Sequence, residues 1–364
     1  MTLSRVFKNY KVLNSCFIVG FFIIPCIIFL KSETPPYILA FIILIGLSLL
    51  SGWLLPFNIR IELQTDEIKV KNVLFFIWIS INLIFIAKVI AVGVPSTNHF
   101  GRDYELTFMK TFPVLTKLYL FSPIISAALI ILEKNEIKKL MYFLISLIVI
   151  FLPGIKGSVF LFIFIIIYYT VLNAQNIKRL LFIYFLTIPT LTICIFYVSI
   201  YLRFSSENSL YLVNIIHTIY AYFQPNFVNL YLMIENHSDL KFGAFMLNSL
   251  VKSITFGTVN LLSEPIDWHF ISPDLKAGTF ARAFWIDFGW AAPFFTFCLG
   301  AFYSFICSIF DGTQKTNKIL ISIMSFPFCF IFFYNEFFRN QIIFGCILMF
   351  SIYAFCNCQK RRTN

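Results

Sequence analysis

The chain has 364 residues, of which 59% are apolar and 12% are charged, with a net charge of +11 and a mean hydropathy of +0.85. Globular proteins carry about 45–50% apolar and about 25% charged residues, so too few charges are present to cover a water-soluble domain. Apolar stretches recur from residue 12 to residue 358, which a single anchor helix cannot explain. The composition therefore indicates a polytopic membrane protein.

The apolar stretches run continuously for about twenty residues, the length of a membrane-spanning helix, whereas the strands of a membrane barrel would alternate apolar and polar positions. We predict one all-α membrane domain over residues 1–364. Ten stretches have the length of spans: about 12–30, 37–55, 73–94, 118–132, 140–153, 159–173, 180–200, 284–310, 319–335 and 342–358. Two weaker segments, 209–234 and 243–262, carry polar residues and are interfacial, re-entrant or spanning; the last case gives twelve spans.

The distribution of Lys and Arg predicts the orientation of the spans. With a cytoplasmic N-terminus, the inner side carries 16 of these residues and the outer side 11, whereas six carboxylates lie inside and eleven outside. Lys88 lies within a span, about six residues from its end, and is expected to snorkel to the interface. We predict that both termini are cytoplasmic. The basic charge then reflects topology and predicts no nucleic-acid partner.

Two predicted outer segments are long, 95–117 and about 201–283, and a long loop in a compact protein is usually functional. The inner loops are each shorter than about 20 residues, and the chain has no Gly-rich phosphate loop and no Rossmann fingerprint. This argues against a reaction that uses cytoplasmic nucleotides. Any polar chemistry is therefore expected on the outer side, with 201–283 as a long periplasmic segment that contains amphipathic or re-entrant helices.

Several basic residues lie at the predicted outer boundary. Arg203 follows the seventh span and Arg282 precedes the eighth, while Lys156 and Arg339 lie in two tight outer turns. Arg102 belongs to the first long outer segment. An Arg offers a charged fork to phosphate oxygens and a Lys offers a point charge. We predict that these residues bind a phosphate or diphosphate at headgroup depth; ordinary snorkelling is the competing interpretation for each.

Three residues of the long segment are candidates for proton transfer. His217 lies on an otherwise apolar helix, where it is either a base or a hydrogen-bonded packing residue. Asp267 and His269 flank Trp268, a combination suited to sugar stacking and proton transfer, or else to an exposed loop. The histidines lack the spacing of metal ligands. We therefore expect neither a metal nor a cofactor.

Asp287 is a fourth candidate, and it is predicted to start an apolar helix. A carboxylate there is stabilised by the positive helix N-terminus, so a capping role competes with a catalytic role or with pairing to Arg282, five residues earlier. A cap would tolerate Asn at a cost of about 1 kcal/mol or less, since Asn caps as well as Asp. A proton acceptor would lose about two orders of magnitude in activity.

One segment of the chain carries a family resemblance. It reads Gly278-Thr279-Phe280-Ala281-Arg282-Ala283-Phe284-Trp285-Ile286-Asp287-Phe288-Gly289-Trp290. It resembles the oligosaccharide repeat-unit polymerases, the O-antigen polymerase (Wzy-type) family, whose members carry Thr-Phe and then aromatic-x-Asp-Phe-Gly. The Lys156-Gly157-Ser158 turn, Arg203 after a span and Tyr222-Phe223-Gln224-Pro225 add to the likeness, which covers 150–310 well and the remainder only in hydropathy. Many relatives have Arg where this chain has Lys156.

The resemblance implies a GT-C-like, metal-independent glycosyltransferase at the periplasmic face of a bacterial inner membrane. A growing glycan on undecaprenyl diphosphate would be transferred onto a lipid-linked repeat unit, and Gln224 would join the substrate-binding residues. Membrane lipid, a polysaccharide chain-length regulator and a flippase of the same pathway are the implied partners. Two other classes stay open: a lipid-linked oligosaccharide flippase, although no internal repeat is visible, and a membrane acyltransferase, for which His99 is the only early histidine.

Overall fold

The computed structural model describes residues 9–29, 35–57, 59, 65–93, 102–153, 156–174, 227–236, 239–255, 258–262, 279–311, 314–329, 331, 337 and 339–358. Helices make up most of this part of the chain, and no strand occurs within it. The predicted all-α fold is therefore confirmed.

The helices are numbered in chain order. They are α1 (Tyr10–Phe29), α2 (Pro36–Trp53), α3 (Glu67–Val92), α4 (Arg102–Lys110), α5 (Pro113–Tyr119), α6 (Ser122–Leu132), α7 (Glu136–Phe151), α8 (Lys156–Asn173), α9 (227–236), α10 (Ala244–Ile254), α11 (Phe280–Phe288), α12 (Ala292–Ile309), α13 (Lys315–Cys329) and α14 (Asn340–Cys358). A single 3₁₀ turn, Gly289–Ala291, connects α11 to α12.

Five stretches within the described ranges are long and apolar enough to cross a membrane. They are Pro36–Trp53, Glu67–Val92, Pro113–Leu132, Phe280–Ile309 and Asn340–Asn357. Their length and composition are those of a helical membrane protein. The count of ten spans stays a prediction, and the predicted span 180–200 lies outside the described residues.

In the described residues of the weak segment 243–262, namely 243–255 and 258–262, one short helix occurs, α10. Its eleven residues rise about 16 Å at 1.5 Å per residue, roughly half of the hydrocarbon thickness of a bilayer. This length favours the interfacial and re-entrant alternatives, and the span count of this segment stays a prediction. The other weak segment, 209–234, is described only from residue 227, and its described part belongs to α9.

Among the described helices, α2 and α12 make the most extensive contact. A Cβ atom on Gly52 would overlap the Phe297 carbonyl oxygen, and one on Gly300 would overlap the Leu49 carbonyl oxygen. Gly300 belongs to the series Thr296, Gly300, Ser304, in which small residues recur every fourth position. Apolar side chains gain little by leaving lipid for protein, so membrane helices associate through such close contacts between small residues.

Apolar packing divides into two clusters that share α8 and α13. One cluster takes buried side chains from α1, α2 and α9 to α12, and the other takes them from α3 to α7 and from α14. A buried hydrogen-bonded chain crosses the first cluster: Tyr168 Oη donates to Asn14 Oδ1 over 2.8 Å, and Asn14 Nδ2 donates to Ser325 Oγ over 2.9 Å. These bonds fix α1 against α8 and α13.

Contacts between charged residues bring predicted inner loops to one end of the bundle. Lys315 at the start of α13 lies 3.0 Å from Glu67 at the start of α3. Lys71 lies 3.4 Å from Glu133, which follows α6. The grouping of these loops agrees with the predicted topology. The assignment of this end to the cytoplasm depends on the charge bias and stays a prediction.

Candidate functional site

The predicted site residues fall into three groups. Side chains are described for Asp287, Arg282 and Arg339. Arg102 and Lys156 are the first residues of α4 and α8, and only their helical backbone is described. The remaining predicted site residues lie outside the described residues: Arg203, His217, Gln224, Asp267 and His269. The site is therefore built from the ends of α8, α10, α11 and α14.

Two turns that were singled out in the sequence meet in the fold. Arg339 immediately precedes α14, and Gly157 is the second residue of α8. The Arg339 guanidinium lies against the Gly157 backbone, since a Cβ atom there would lie 2.8 Å from Nη1 and 3.1 Å from Nη2. Only glycine leaves this space free. The arrangement places an Arg beside the positive N-terminal ends of two helices.

Gln341 connects the same two helices. Its side-chain amide nitrogen donates to Ser158 Oγ over 3.4 Å and to the carbonyl oxygen of Leu120. Because a carbonyl can only accept, the orientation of the amide is fixed. Gln341 Oε1 is then buried without a hydrogen-bond donor. Buried polar atoms are almost always paired, so this oxygen marks a position where a donor group is expected.

Asn340 repeats this pattern one residue earlier. Its amide nitrogen donates to the carbonyl oxygen of Ser249 over 3.0 Å and to Ser253 Oγ over 2.6 Å, both on α10. Asn340 Oδ1 is buried and, like Gln341 Oε1, accepts no hydrogen bond. The start of α14 therefore presents two amide oxygens that lack donors, directly after Arg339. This group of Gly157, Arg339, Asn340 and Gln341 is called the α8/α14 site below.

The sequence predicts that Asp287 starts a helix, and this prediction is wrong. It lies in the last turn of α11 and is fully buried. Its Oδ1 accepts the N–H of Phe245 over 2.9 Å, and its Oδ2 accepts the N–H of Met246 over 3.0 Å. These are the second and third residues of α10. Asp287 therefore caps α10, a helix that begins 43 residues before it in the chain.

Backbone hydrogen bonds also hold the segment before α10 against the last turn of α11. Lys241 N–H donates to the carbonyl oxygen of Ile286 over 3.0 Å, and Phe242 N–H donates to that of Asp287 over 2.9 Å. Arg282 is half-buried in the first turn of α11. No ion pair joins Arg282 to Asp287, whose two carboxylate oxygens are engaged by α10.

Lys88 is a residue whose role sequence reasoning missed, and the expectation that it snorkels is wrong. Its side chain is fully buried, and Nζ donates to the carbonyl oxygens of Phe108 and Thr111 and to Thr116 Oγ1. Nζ also lies 4.8 Å from the centre of the Phe108 ring. All three ammonium donors are satisfied. Lys88 therefore fixes α4 and α5, which form most of the first long outer segment, against α3.

The hydrogen bonds connect this lysine to the α8/α14 site. Lys88 holds Thr116 of α5, and the residue after α5, Leu120, accepts the bond from Gln341. Within the described residues, no group of three or more His, Cys, Asp or Glu side chains is placed to hold a metal ion. The site thus combines an Arg with two helix N-termini, which suits an anion.

Comparison with known proteins finds no match to a protein-family model, to a curated protein or to a solved structure. The fold and its apolar helices define a helical membrane protein. The resemblance to the repeat-unit polymerases, and the GT-C-like fold that this resemblance implies, stay predictions from the sequence.

Proposed function

We propose that this protein is a metal-independent glycosyltransferase that polymerises oligosaccharide repeat units carried on undecaprenyl diphosphate. The growing glycan is transferred onto a lipid-linked repeat unit at the periplasmic face of a bacterial inner membrane, as in the assembly of an O-antigen or capsule-type glycan. The observation that carries the proposal is the α8/α14 site, where the Arg339 guanidinium lies on Gly157 between two helix starts.

The chemistry of this site matches the diphosphate of such a substrate. The guanidinium donates to diphosphate oxygens, and the N-terminal ends of α8 and α14 add positive potential. Asn340 and Gln341 hold the start of α14 beside this guanidinium through their bonds to Ser253 and Leu120. As the bond to the lipid diphosphate breaks, negative charge increases on the leaving diphosphate. Fixed cations stabilise that charge in the transition state.

The acceptor hydroxyl must lose its proton during transfer, and a positioned side chain accepts it. Both oxygens of Asp287 already accept N–H groups of α10, which leaves this carboxylate poorly placed for the task. We therefore assign the proton acceptor to His217, Asp267 or His269. Asp287 then serves the reaction by holding α10 beside Asn340.

The orientation of the protein has its own test. We propose a multi-pass inner-membrane protein with both termini in the cytoplasm, from the bias of Lys and Arg between loops. Alkaline phosphatase fused after residue 240 should be active and after residue 315 inactive. The reverse pattern would place the α8/α14 site in the cytoplasm and end the functional proposal.

The reaction is tested with purified protein and lipid-linked repeat units in proteoliposomes, without nucleotide or acyl donor. Polymer formation is expected from the wild type. Movement of the intact lipid-linked unit across the bilayer without polymer would indicate the flippase alternative. Product formed only when an acyl donor is added would indicate the acyltransferase. In cells, loss of the gene should leave single repeat units on the lipid A core, whereas loss of a flippase would leave none.

Variants of Arg339 test the site itself. We expect Arg339→Ala to lower polymerisation by about two orders of magnitude or more, since a cation on the leaving diphosphate contributes a few kcal/mol. Arg339→Lys should keep part of the activity because it retains the charge but not the fork. Polymer of normal length and rate from Arg339→Ala would rule out this site.

Gly157→Ala provides a more conservative test, because it displaces the Arg339 guanidinium without removing it. Its matched control is Gly345→Ala on α14, where the new Cβ would overlap only the flexible end of Ile124. Both variants add one methyl group to a close helix contact. We expect Gly157→Ala to lower activity at least tenfold relative to Gly345→Ala at equal amounts of folded protein. Equal activities would show that the position of the guanidinium does not matter.

A further inference from the structure

Helix α10 contacts the bundle through a partly polar face. Met246 is buried against the hydrophobic core, and Ser249 and Ser253 bond to Asn340. These three residues follow helical spacing and share one side of the helix. In a water-exposed helix, the side toward the protein is normally the apolar one.

A second face of α10 is entirely apolar. Leu247, Leu250, Val251 and Ile254 are spaced i, i+3, i+4, i+7 and form one stripe. Leu247 and Ile254 are exposed, Ile254 by 58%, and Leu250 and Val251 are partly exposed. Lys252 is also exposed but projects on the opposite side of the helix from the stripe, because it lies five residues after Leu247. The helix therefore has an apolar side and a cationic side, with the bundle between them.

The apolar surface continues on both sides of the stripe. Phe242 before α10 is 80% exposed, and Val259 and Leu261 after it are also exposed. Trp290 and Phe294, close to the junction of α11 and α12, are exposed as well. Aromatic residues of this kind are enriched where membrane spans reach the lipid headgroups. The segment before α10 also touches this junction, since a Cβ atom on Gly289 would lie 3.0 Å from Leu240 Cδ2.

We propose that α10 lies in the plane of the membrane–water interface, with its stripe in the acyl chains of one leaflet and Lys252 at the lipid phosphates. Its occupant is phospholipid, since an exposed apolar stripe next to a cation matches the two parts of a lipid molecule. The eleven-residue length favours an interfacial helix over a span, and the cap supplied by Asp287 fixes where the helix begins. The inference does not depend on the glycosyltransferase proposal.

Photocrosslinking tests this placement. Benzoylphenylalanine is introduced separately at Leu247, Ile254 and Lys252, with Ile90 on the exposed surface of α3 as a lipid-facing control. The full-length protein is reconstituted in phosphatidylethanolamine and phosphatidylglycerol vesicles and illuminated. Mass spectrometry should find lipid adducts at 247 and 254 at levels near those at 90 and several-fold above those at 252. Adducts at 247 and 254 no more abundant than at 252, or adducts to peptides of the same chain, would overturn the proposal.

A second measurement uses the unmodified protein, so that a poorly folded variant cannot obscure the result. Hydroxyl-radical footprinting labels side chains that contact water. In vesicles, Leu247 and Ile254 should stay unoxidised despite their exposure at the protein surface, as should Ile90, whereas Lys252 should be labelled. Oxidation of Leu247 and Ile254 to the level of residues in water-exposed loops would show that α10 lies outside the membrane.

Discussion

Replacement of Asp287 by Asn distinguishes a structural from a catalytic role of this residue. From the sequence, a purely structural Asp287 should tolerate Asn; the structure predicts that it does not. An Asn that caps its own helix needs only one acceptor oxygen. Asp287 uses both of its oxygens, one for each of two N–H groups at the start of α10. In Asp287→Asn, one of these N–H groups would face the amide NH₂ group and lose its acceptor. Asn is therefore not a neutral replacement, even if the role is purely structural.

The size of the effect follows from these two bonds. A hydrogen bond to a charged group contributes about 1.5–3 kcal/mol, and a buried donor left without a partner costs about 1–3 kcal/mol. We expect Asp287→Asn to destabilise the docking of α10 by about 2 kcal/mol and Asp287→Ala by about 4 kcal/mol, since the latter removes both acceptors. The first value corresponds to roughly a thirtyfold shift in the equilibrium between docked and undocked α10.

Hydrogen exchange of the Phe245 and Met246 amides measures this directly, because Asp287 is their acceptor. Both amides should exchange about thirtyfold faster in Asp287→Asn, and activity should fall in proportion to the docked fraction. The matched control is Asp239→Asn, which removes an exposed carboxylate of the same segment and should change neither property. Unchanged exchange at both amides together with a hundredfold loss of polymer would refute the reasoning and assign Asp287 to proton transfer.

Three further predictions concern the bundle. Lys88→Met should lower the free energy of unfolding by about 3 kcal/mol, since buried carbonyl oxygens lose their donor; an unchanged melting temperature in detergent would contradict this. Gly300→Ala should cost at least about 1–3 kcal/mol because its Cβ meets backbone atoms, and more than Gly345→Ala, whose Cβ meets a flexible side chain; equal melting temperatures would contradict it. Burial raises the pKa of Glu133, but backbone N–H groups and Lys71 outweigh this and hold the pKa below its ordinary 4.5. Its stabilising contribution should therefore be complete above pH 4.5 and disappear as the pH falls through the lower folded pKa; a stability difference from Glu133→Gln that persists unchanged at pH 2 would contradict this.

Much of the architecture is predictable from the sequence because a bilayer restricts what a chain can do. Every backbone polar group must be satisfied within the span, so a long apolar stretch has to be a helix. The predicted spans 37–55 and 73–94 correspond closely to α2 and α3. Helix starts are also local: Asp66 and Asn135 each accept N–H groups two and three residues later. Such features depend on neighbours in the chain and on the solvent alone.

The roles of single polar residues depend instead on contacts distant in sequence. Lys88 has the sequence context of a snorkelling lysine, yet its ammonium is bound by oxygens 20 to 28 residues later. Asp287 caps a helix whose N–H donors, on Phe245 and Met246, precede it by more than forty residues. Periodicity gives the face on which a residue lies, but it does not give the partner that meets that face.

The sequence by itself thus determined that this is a helical membrane protein, and it singled out the turns at Gly157 and Arg339. Hydropathy and backbone hydrogen bonding are properties of local segments, which is why they can be read without a fold. Only the tertiary structure decided that these two turns touch, that α10 is short and turns its apolar stripe outward, and that both oxygens of Asp287 are engaged. The physical reason is that the shapes of side chains from distant parts of the sequence decide how the helices pack. Gly300 and Leu49, for example, are in close contact although they lie 251 positions apart in the chain.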